Sequence, residues 1–284
     1  MLLANRLQLA ALTPLLKQNS LSERIDKANL EEYMRDGEVI DRARINSLQL
    51  AHSLDALHAL APSQRRGQHL SNNEARTYFQ FLLAQLPTGN CTECSTAMDR
   101  SGFHALCCSH GKRLKARHDD ATHVVAQHVQ RARFKVSEDV AIMRDGPNRP
   151  RPADLRIRRF KNGQDAAIDF TFVAPLQKKY LNKAAVRSGV AVKAAEALKR
   201  KKYTEQCRQH FPVAGETYGG WGASAMEVFE MVIAAEAAVL ERPMGPVRRQ
   251  LYCDLAISIA RNAARAILER LPETDVDLPP PGSY

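Results

Sequence analysis

Apolar residues recur along this 284-residue chain with two different periods, and the change of period divides it. Through residues 1–87 the spacing is helical. Leu7, Leu9, Leu12, Leu15 and Leu16 fall near one face, and the pattern resumes over 40–60. Ser71-Asn72-Asn73-Glu74 offers caps ahead of a helix over 75–86, which Pro87-Thr88-Gly89 ends. Another helix is expected over about 119–133, after which Pro147, Pro150 and Pro152 interrupt regular structure. The period then falls to two. Runs over 155–160 and 167–173 flank Lys161-Asn162-Gly163-Gln164-Asp165, and Asn-Gly between alternating apolar positions is a strong hairpin signal. Helical patterning returns over 183–206, 224–241 and 246–271, and the tail from 273, with Pro279-Pro280-Pro281, reads as loose. Neither an internal repeat nor a long low-complexity segment is evident.

Composition changes this picture little and charge changes it more. Apolar residues at 44% and charged residues at 25% are ordinary for a globular chain. A net charge of +10 favours a polyanionic partner, because each neutralised phosphate releases condensed counterions. No apolar run approaches the ~20 residues of a membrane helix, so no membrane partner is expected. Residues 1–22 lack acidic side chains and carry Arg6 and Lys17, faintly like a transit peptide, but the amphipathic pattern continues into further helices. With no secretory signal evident, the six cysteines are expected to be reduced.

Four of those cysteines lie close together, which points to metal before disulfide. The spacing is Cys91-x2-Cys94-x9-His104-x3-Cys108. Zinc takes four nitrogen or sulfur ligands in a tetrahedron, and a Cys-x2-Cys turn presents two sulfurs to one ion. Cys107 and His110 compete with Cys108 for the fourth place.

A second constellation is acidic. Hydrolysis of a phosphodiester calls for carboxylates to hold Mg2+ or Mn2+ and a cation near the scissile phosphate. Asp154 stands at the mouth of the first strand, and Asp169 lies inside the second, where a carboxylate is costly unless paired or coordinated. A short hairpin brings the two onto adjacent strands, and Glu138 upstream offers a third carboxylate. Lys199 and Lys202, three apart on a helix, share one face. Two basic stretches suit a DNA groove: Lys112-Arg113-Leu114-Lys115-Ala116-Arg117, and residues 144–161 with Arg149, Arg151, Arg156, Arg158 and Arg159.

In this order the motifs resemble the C-terminal region of proteins encoded by non-LTR retrotransposons, in which a restriction-like endonuclease follows a reverse transcriptase. The likeness runs from the knuckle and Gly102-Phe103-His104-Ala105-Leu106 through Arg117-His118-Asp119, Glu138, Arg151-Pro152-Ala153-Asp154 and Ile168-Asp169-Phe170-Thr171. It continues through residues 195–203 and Phe211-Pro212-Val213 to Glu216-Thr217-Tyr218-Gly219-Gly220-Trp221-Gly222, and with the helices that follow covers residues 88–272, about two thirds of the chain.

The resemblance implies an α/β (α+β) fold with a PD-(D/E)XK core, a mixed sheet flanked by helices with the active site at one sheet edge. It implies segments at 1–87 (helical, a polymerase thumb or connector), 88–118 (zinc knuckle), 119–222 (nuclease core), 223–272 (C-terminal helices) and 273–284 (tail). Asp154 would match the first aspartate of the motif and Asp169 the second acid, with Glu138 assisting. Thr171 stands where the plain motif has lysine, and such families move that lysine to the next helix, which makes Lys199 the match and Lys202 the reserve. Arg117 and His118 would contact phosphate or brace the knuckle, while Trp221 and Tyr218 pack the edge of the core. The resemblance further implies structural Zn2+, catalytic Mg2+ or Mn2+, nicking of target DNA to prime reverse transcription, an element RNA as second partner, and a nuclear location. The paired aspartates of a polymerase Tyr-x-Asp-Asp turn are absent. The rival expectations are a catalytically inactive nucleic-acid-binding module and a structural appendage of a reverse transcriptase.

Overall fold

The computed structural model describes residues 18–59, 69–140, 153–203 and 210–271. The leucine-periodic start, Arg151 with Pro147, Pro150 and Pro152, and the tail from 273 lie outside these residues.

Four helices come first: α1 (Gln18–Asp36), α2 (Val39–Leu48), α3 (Asp55–Ala59) and α4 (Asn72–Leu82). α4 begins where its caps require. Ser71 Oγ accepts the Glu74 N–H at 3.2 Å, and Glu74 Oε2 accepts the Ser71 N–H at 2.8 Å, a reciprocal capping box. It stops at Leu82 rather than 86, and Ala84 turns the chain at a φ of 53°. A short ribbon, β1 (Gly89–Asn90) and β2 (Ala97–Met98), leads to the one-turn α5 (Phe103–Cys107). α6 (Arg113–Arg131) starts earlier than the expected 119, so one helix runs from the cysteine module into the core.

Four strands form the main sheet, β3 (Val136–Val140), β4 (Ala153–Lys161), β5 (Gln164–Val173) and β6 (His210–Glu216), in spatial order β3-β4-β5-β6. The β4–β5 hairpin closes through Asn162 and Gly163 at φ of 53° and 74°, the left-handed pair that Asn-Gly tolerates. β5 and β6 are parallel, so the chain must cross over, and α7 (Lys178–Ala184) and α8 (Val190–Tyr203) make the crossing. The composition over 183–206 predicted helix, and among the described residues that stretch holds the end of α7 and all of α8, divided near Gly189 at a φ of 73°. β3 and β6 were not foreseen. β6 contains Pro212, which its place at the end of the strand order accommodates, since an edge strand can lack one ladder donor.

α9 (Ala223–Leu240) and α10 (Met244–Leu268) complete the fold. They pack with α6 on one face of the sheet, where Val125, Val129, Leu155, Ile168, Phe170, Phe229 and Leu251 form the largest core. α8 covers the other face through Val192 and Ala195 against Val173 and Ala214. A second core joins α2, α4, the cysteine module and α10 through Ala43, Tyr78, Phe81, Leu106 and Ile267. Helices α2, α3 and α4 and the module therefore share a core with the last helix. The architecture is mixed α/β of the α+β kind. Trp221 and Tyr218 are 3% and 1% exposed and pack as core residues, as expected. Among the described residues no helix is long and apolar enough to cross a membrane.

Candidate functional site

The cysteine module is built by local hydrogen bonds. Cys91 O accepts the Ser95 N–H at 2.8 Å, and the Cys91 N–H reaches Thr96 O at 2.8 Å, folding the Cys-x2-Cys turn. Asp99 caps α5 by accepting the N–H groups of Phe103 at 3.0 Å and His104 at 2.7 Å, which turns His104 toward the turn. Gly102, at a φ of 70°, sits where a Cβ would meet Phe81 at 2.9 Å, so the α5 entry admits glycine for both conformation and space.

The ligand atoms of Cys91, Cys94, His104 and Cys108 all lie within 4.8 Å of one another. Cys94 Sγ is 3.8 Å from Cys108 Sγ and 3.2 Å from His104 Nε2. Two thiolates on one tetrahedral zinc sit about 3.8 Å apart, so this donor set fits zinc. The Thr96 hydroxyl and N–H pull the Cys94 thiol down to about 6, toward the thiolate a metal needs. Cys107 is the odd sulfur: burial pushes it up to about 11, and its charged neighbours are Arg117 and Asp99. His110 Nδ1 is 3.9 Å from Cys108 Sγ, and its carbonyl is taken by Arg270 at 2.7 Å. Cys108 therefore takes the fourth place. Arg113 pairs with Glu269, and Thr92 Oγ1 donates to Glu269 O at 2.9 Å, fastening the module to the end of α10.

The acidic pair lies on the two inner strands, at the end of β4, rather than on an edge strand. Leu155 pairs with Ile168, and the same register one residue outward sets Asp154 opposite Asp169. Alternation turns Ile168 and Phe170 into the α6 side and leaves Asp169 toward α8. Lys199 reaches down from α8 and donates to Asp169 Oδ1 at 2.9 Å, with Oδ2 at 2.8 Å. Asp154 Oδ2 accepts the Phe170 N–H at 2.6 Å and lies 3.1 Å from His118 Nε2. His118 is held above its usual range by the hydrogen bond to Asp154, helped by Asp119, so it carries positive charge further toward neutral pH.

Other candidates are placed differently. Glu138 pairs in register with Leu155, so it sits on the α6 face of the sheet, where His123 lies 3.7 Å away. Arg117 is 6% exposed, with its guanidinium 5.0 Å above the Phe172 ring, and burial pulls it down to about 10. So buried, it braces the core and the module and does not face a phosphate. Arg156 is engaged in a fork with Asp165 at 3.0 and 2.7 Å, whereas Arg158 is exposed. Lys202 is exposed, with its amine 4.9 Å from the Tyr203 ring, while Lys199 holds the aspartate.

Two arrangements were not read from the sequence. His210 heads β6 with its Nε2 3.7 Å from Asp169 Oδ2, a neighbour that only the parallel strand pairing brings there. His128 is buried between Glu236 at 2.6 Å and Asp254 at 3.2 Å and ties α6 to α9 and α10. Its lone place on an apolar helix face carried no such signal. Comparison of the chain with protein-family models, with curated proteins and with solved structures finds no match.

Proposed function

We propose that this chain is a metal-dependent DNA endonuclease domain of the retrotransposon type, with a PD-(D/E)XK core and a structural zinc knuckle. The observation that carries this reading is the register that sets Asp154 opposite Asp169 on adjacent strands, with Lys199 of the crossover helix paired to Asp169. Asp169 is buried, and a buried carboxylate is costly unless a cation or donors face it, as Lys199 does here and an arriving metal ion would. Asp154 and Asp169 are the residues that would hold Mg2+ or Mn2+, hard ions that accept one or two carboxylates and complete their shell with water and phosphate. A cation bound there supplies charge for the scissile phosphate and acidifies the attacking water.

The chain's own residues do the rest. The Phe170 N–H and His118 fix the Asp154 carboxylate. Lys199 stands where its amine can turn to the phosphate and stabilise developing charge. Exposed basic side chains such as Arg158 and Lys202 supply phosphate contacts that position DNA without reading its sequence. On this reading the partners are DNA and an element RNA, the setting is nuclear, and polymerisation belongs to a different domain.

The Lys199–Asp169 pair is also complete by itself, as in a structural ion pair, and this favours a second reading: an inactive nucleic-acid-binding module. Nicking of supercoiled plasmid with Mg2+ or Mn2+ separates the two. The nuclease reading requires nicking by the wild type and none by the Asp154→Ala, Asp169→Ala double variant.

A further inference from the structure

His210 is an anomaly beside this site. Its side chain is 3% exposed, and among the described residues neither ring nitrogen has a hydrogen-bond partner. Buried polar groups are nearly always paired, so an imidazole with two unpaired nitrogens calls for a partner that arrives or moves. The parallel register sets His210 beside Ala167, on the sheet face that also carries Asp169. Tyr203 lies against the ring at 4.9 Å. The carboxylate beside it is Asp169, whose Oδ2 lies 3.7 Å from Nε2, and that oxygen is itself buried and lacks a hydrogen bond. Lys199 lies 2.8 Å from Oδ2 but hydrogen-bonds Oδ1. A shift of less than about 1 Å would bring Nε2 and Oδ2 into bonding distance.

We infer that His210 is a positioning residue for Asp169, donating Nε2–H to Oδ2 when Lys199 leaves the carboxylate for the phosphate. The inference rests on the nuclease reading and deepens it. Lys199 cannot serve the phosphate while it is paired with Asp169, and a buried carboxylate released by its amine is costly unless another donor replaces it. His210 supplies that donor from the inner side. Oδ1 is then left for the cation, and the carboxylate keeps one orientation. Hydrogen bonds to ligating carboxylates tune metal affinity in this way.

The test is Mn2+ binding to the zinc-loaded full chain, followed by calorimetry, with melting of the Mn2+-free protein as the fold control. His210→Phe fills the space without a donor and should weaken Mn2+ roughly tenfold, while His210→Gln, whose amide reaches as far as Nε2, should stay within about threefold of wild type. His210→Asn places its amide too short and should behave like the phenylalanine variant. This Gln–Asn contrast serves as the test if His210→Phe does not fold. Equal Mn2+ affinity in Gln, Asn and wild type overturns the role of His210 and leaves the nuclease reading standing. Mn2+ affinity unchanged by Asp169→Asn removes the metal site itself, and both readings fall together.

Discussion

Lys199 Nζ lies 2.9 Å from Oδ1 and 2.8 Å from Oδ2 of Asp169, so one amine, hydrogen-bonded to Oδ1, faces a carboxylate side chain that is 7% exposed. Removing one partner of such a pair strands the other charge. Lys199→Met should therefore destabilise by roughly 2 kcal/mol, less than for a fully buried pair because the lysine is 28% exposed. Lys199→Met with Asp169→Asn should recover most of that loss. Urea unfolding of the two single variants and the double variant measures the coupling; additive losses would mean that the pair does not interact.

The knuckle shares a core with α4 and α10, so its metal should stabilise more than the knuckle. One zinc per chain is expected by elemental analysis. Chelation, or Cys94→Ser, should lower the melting temperature by several degrees or more and expose Cys91 and Cys108 to thiol reagents. Cys107→Ser should leave the zinc content at one. A zinc content that falls with Cys107→Ser and holds with Cys108→Ser would reverse the ligand assignment.

Glu216 gives a pH dependence with a definite sign. It is 1% exposed, accepts from the Ser47 hydroxyl of α2, and burial pushes its carboxyl up to about 6 from an ordinary 4.5. Between those values the folded chain binds more protons than the unfolded one, so stability falls as pH rises through that window and stays lower above it. The loss is on the order of 2 kcal/mol. Glu216→Gln should flatten the slope and raise stability at pH 7, by roughly 2–4 °C in melting temperature per kcal/mol. A variant whose melting temperature falls between pH 4.5 and pH 7 by as much as that of the wild type would contradict this.

Arg117 separates bracing from phosphate contact. Its guanidinium lies over Phe172 inside the core. Arg117→Met should change stability while leaving DNA affinity and its salt slope as they were, whereas Arg158→Ala should reduce the salt slope by about 1. Fluorescence anisotropy over a salt series reads both. Equal slope changes in the two variants would place Arg117 at the DNA surface.

The parts legible in the sequence were those set by neighbours in the chain. The Ser71–Glu74 capping box, the Asn162-Gly163 turn and the Cys91-x2-Cys94 turn each lie within a few residues, and each formed as its spacing implied. What depends on distant pairing was not legible. The face that Glu138 presents follows from its register with Leu155 across an intervening segment whose geometry no local pattern encodes. β6 pairs with β5 through a crossover, and Pro212 and Gly215 disguise it as a loop. Arg117 sits in a basic run that reads as surface, yet it begins the buried face of α6.

The most direct test of the account is nicking of supercoiled plasmid by the zinc-loaded chain with Mg2+ or Mn2+, with DNA binding measured in parallel. The account predicts metal-dependent nicking by the wild type. It also predicts that Asp154→Ala, Asp169→Asn and Lys199→Ala each lose at least tenfold of that activity and still bind DNA. Binding without nicking by the wild type, or nicking that survives in Asp169→Asn, would contradict the assignment of Asp154, Asp169 and Lys199 as the catalytic centre.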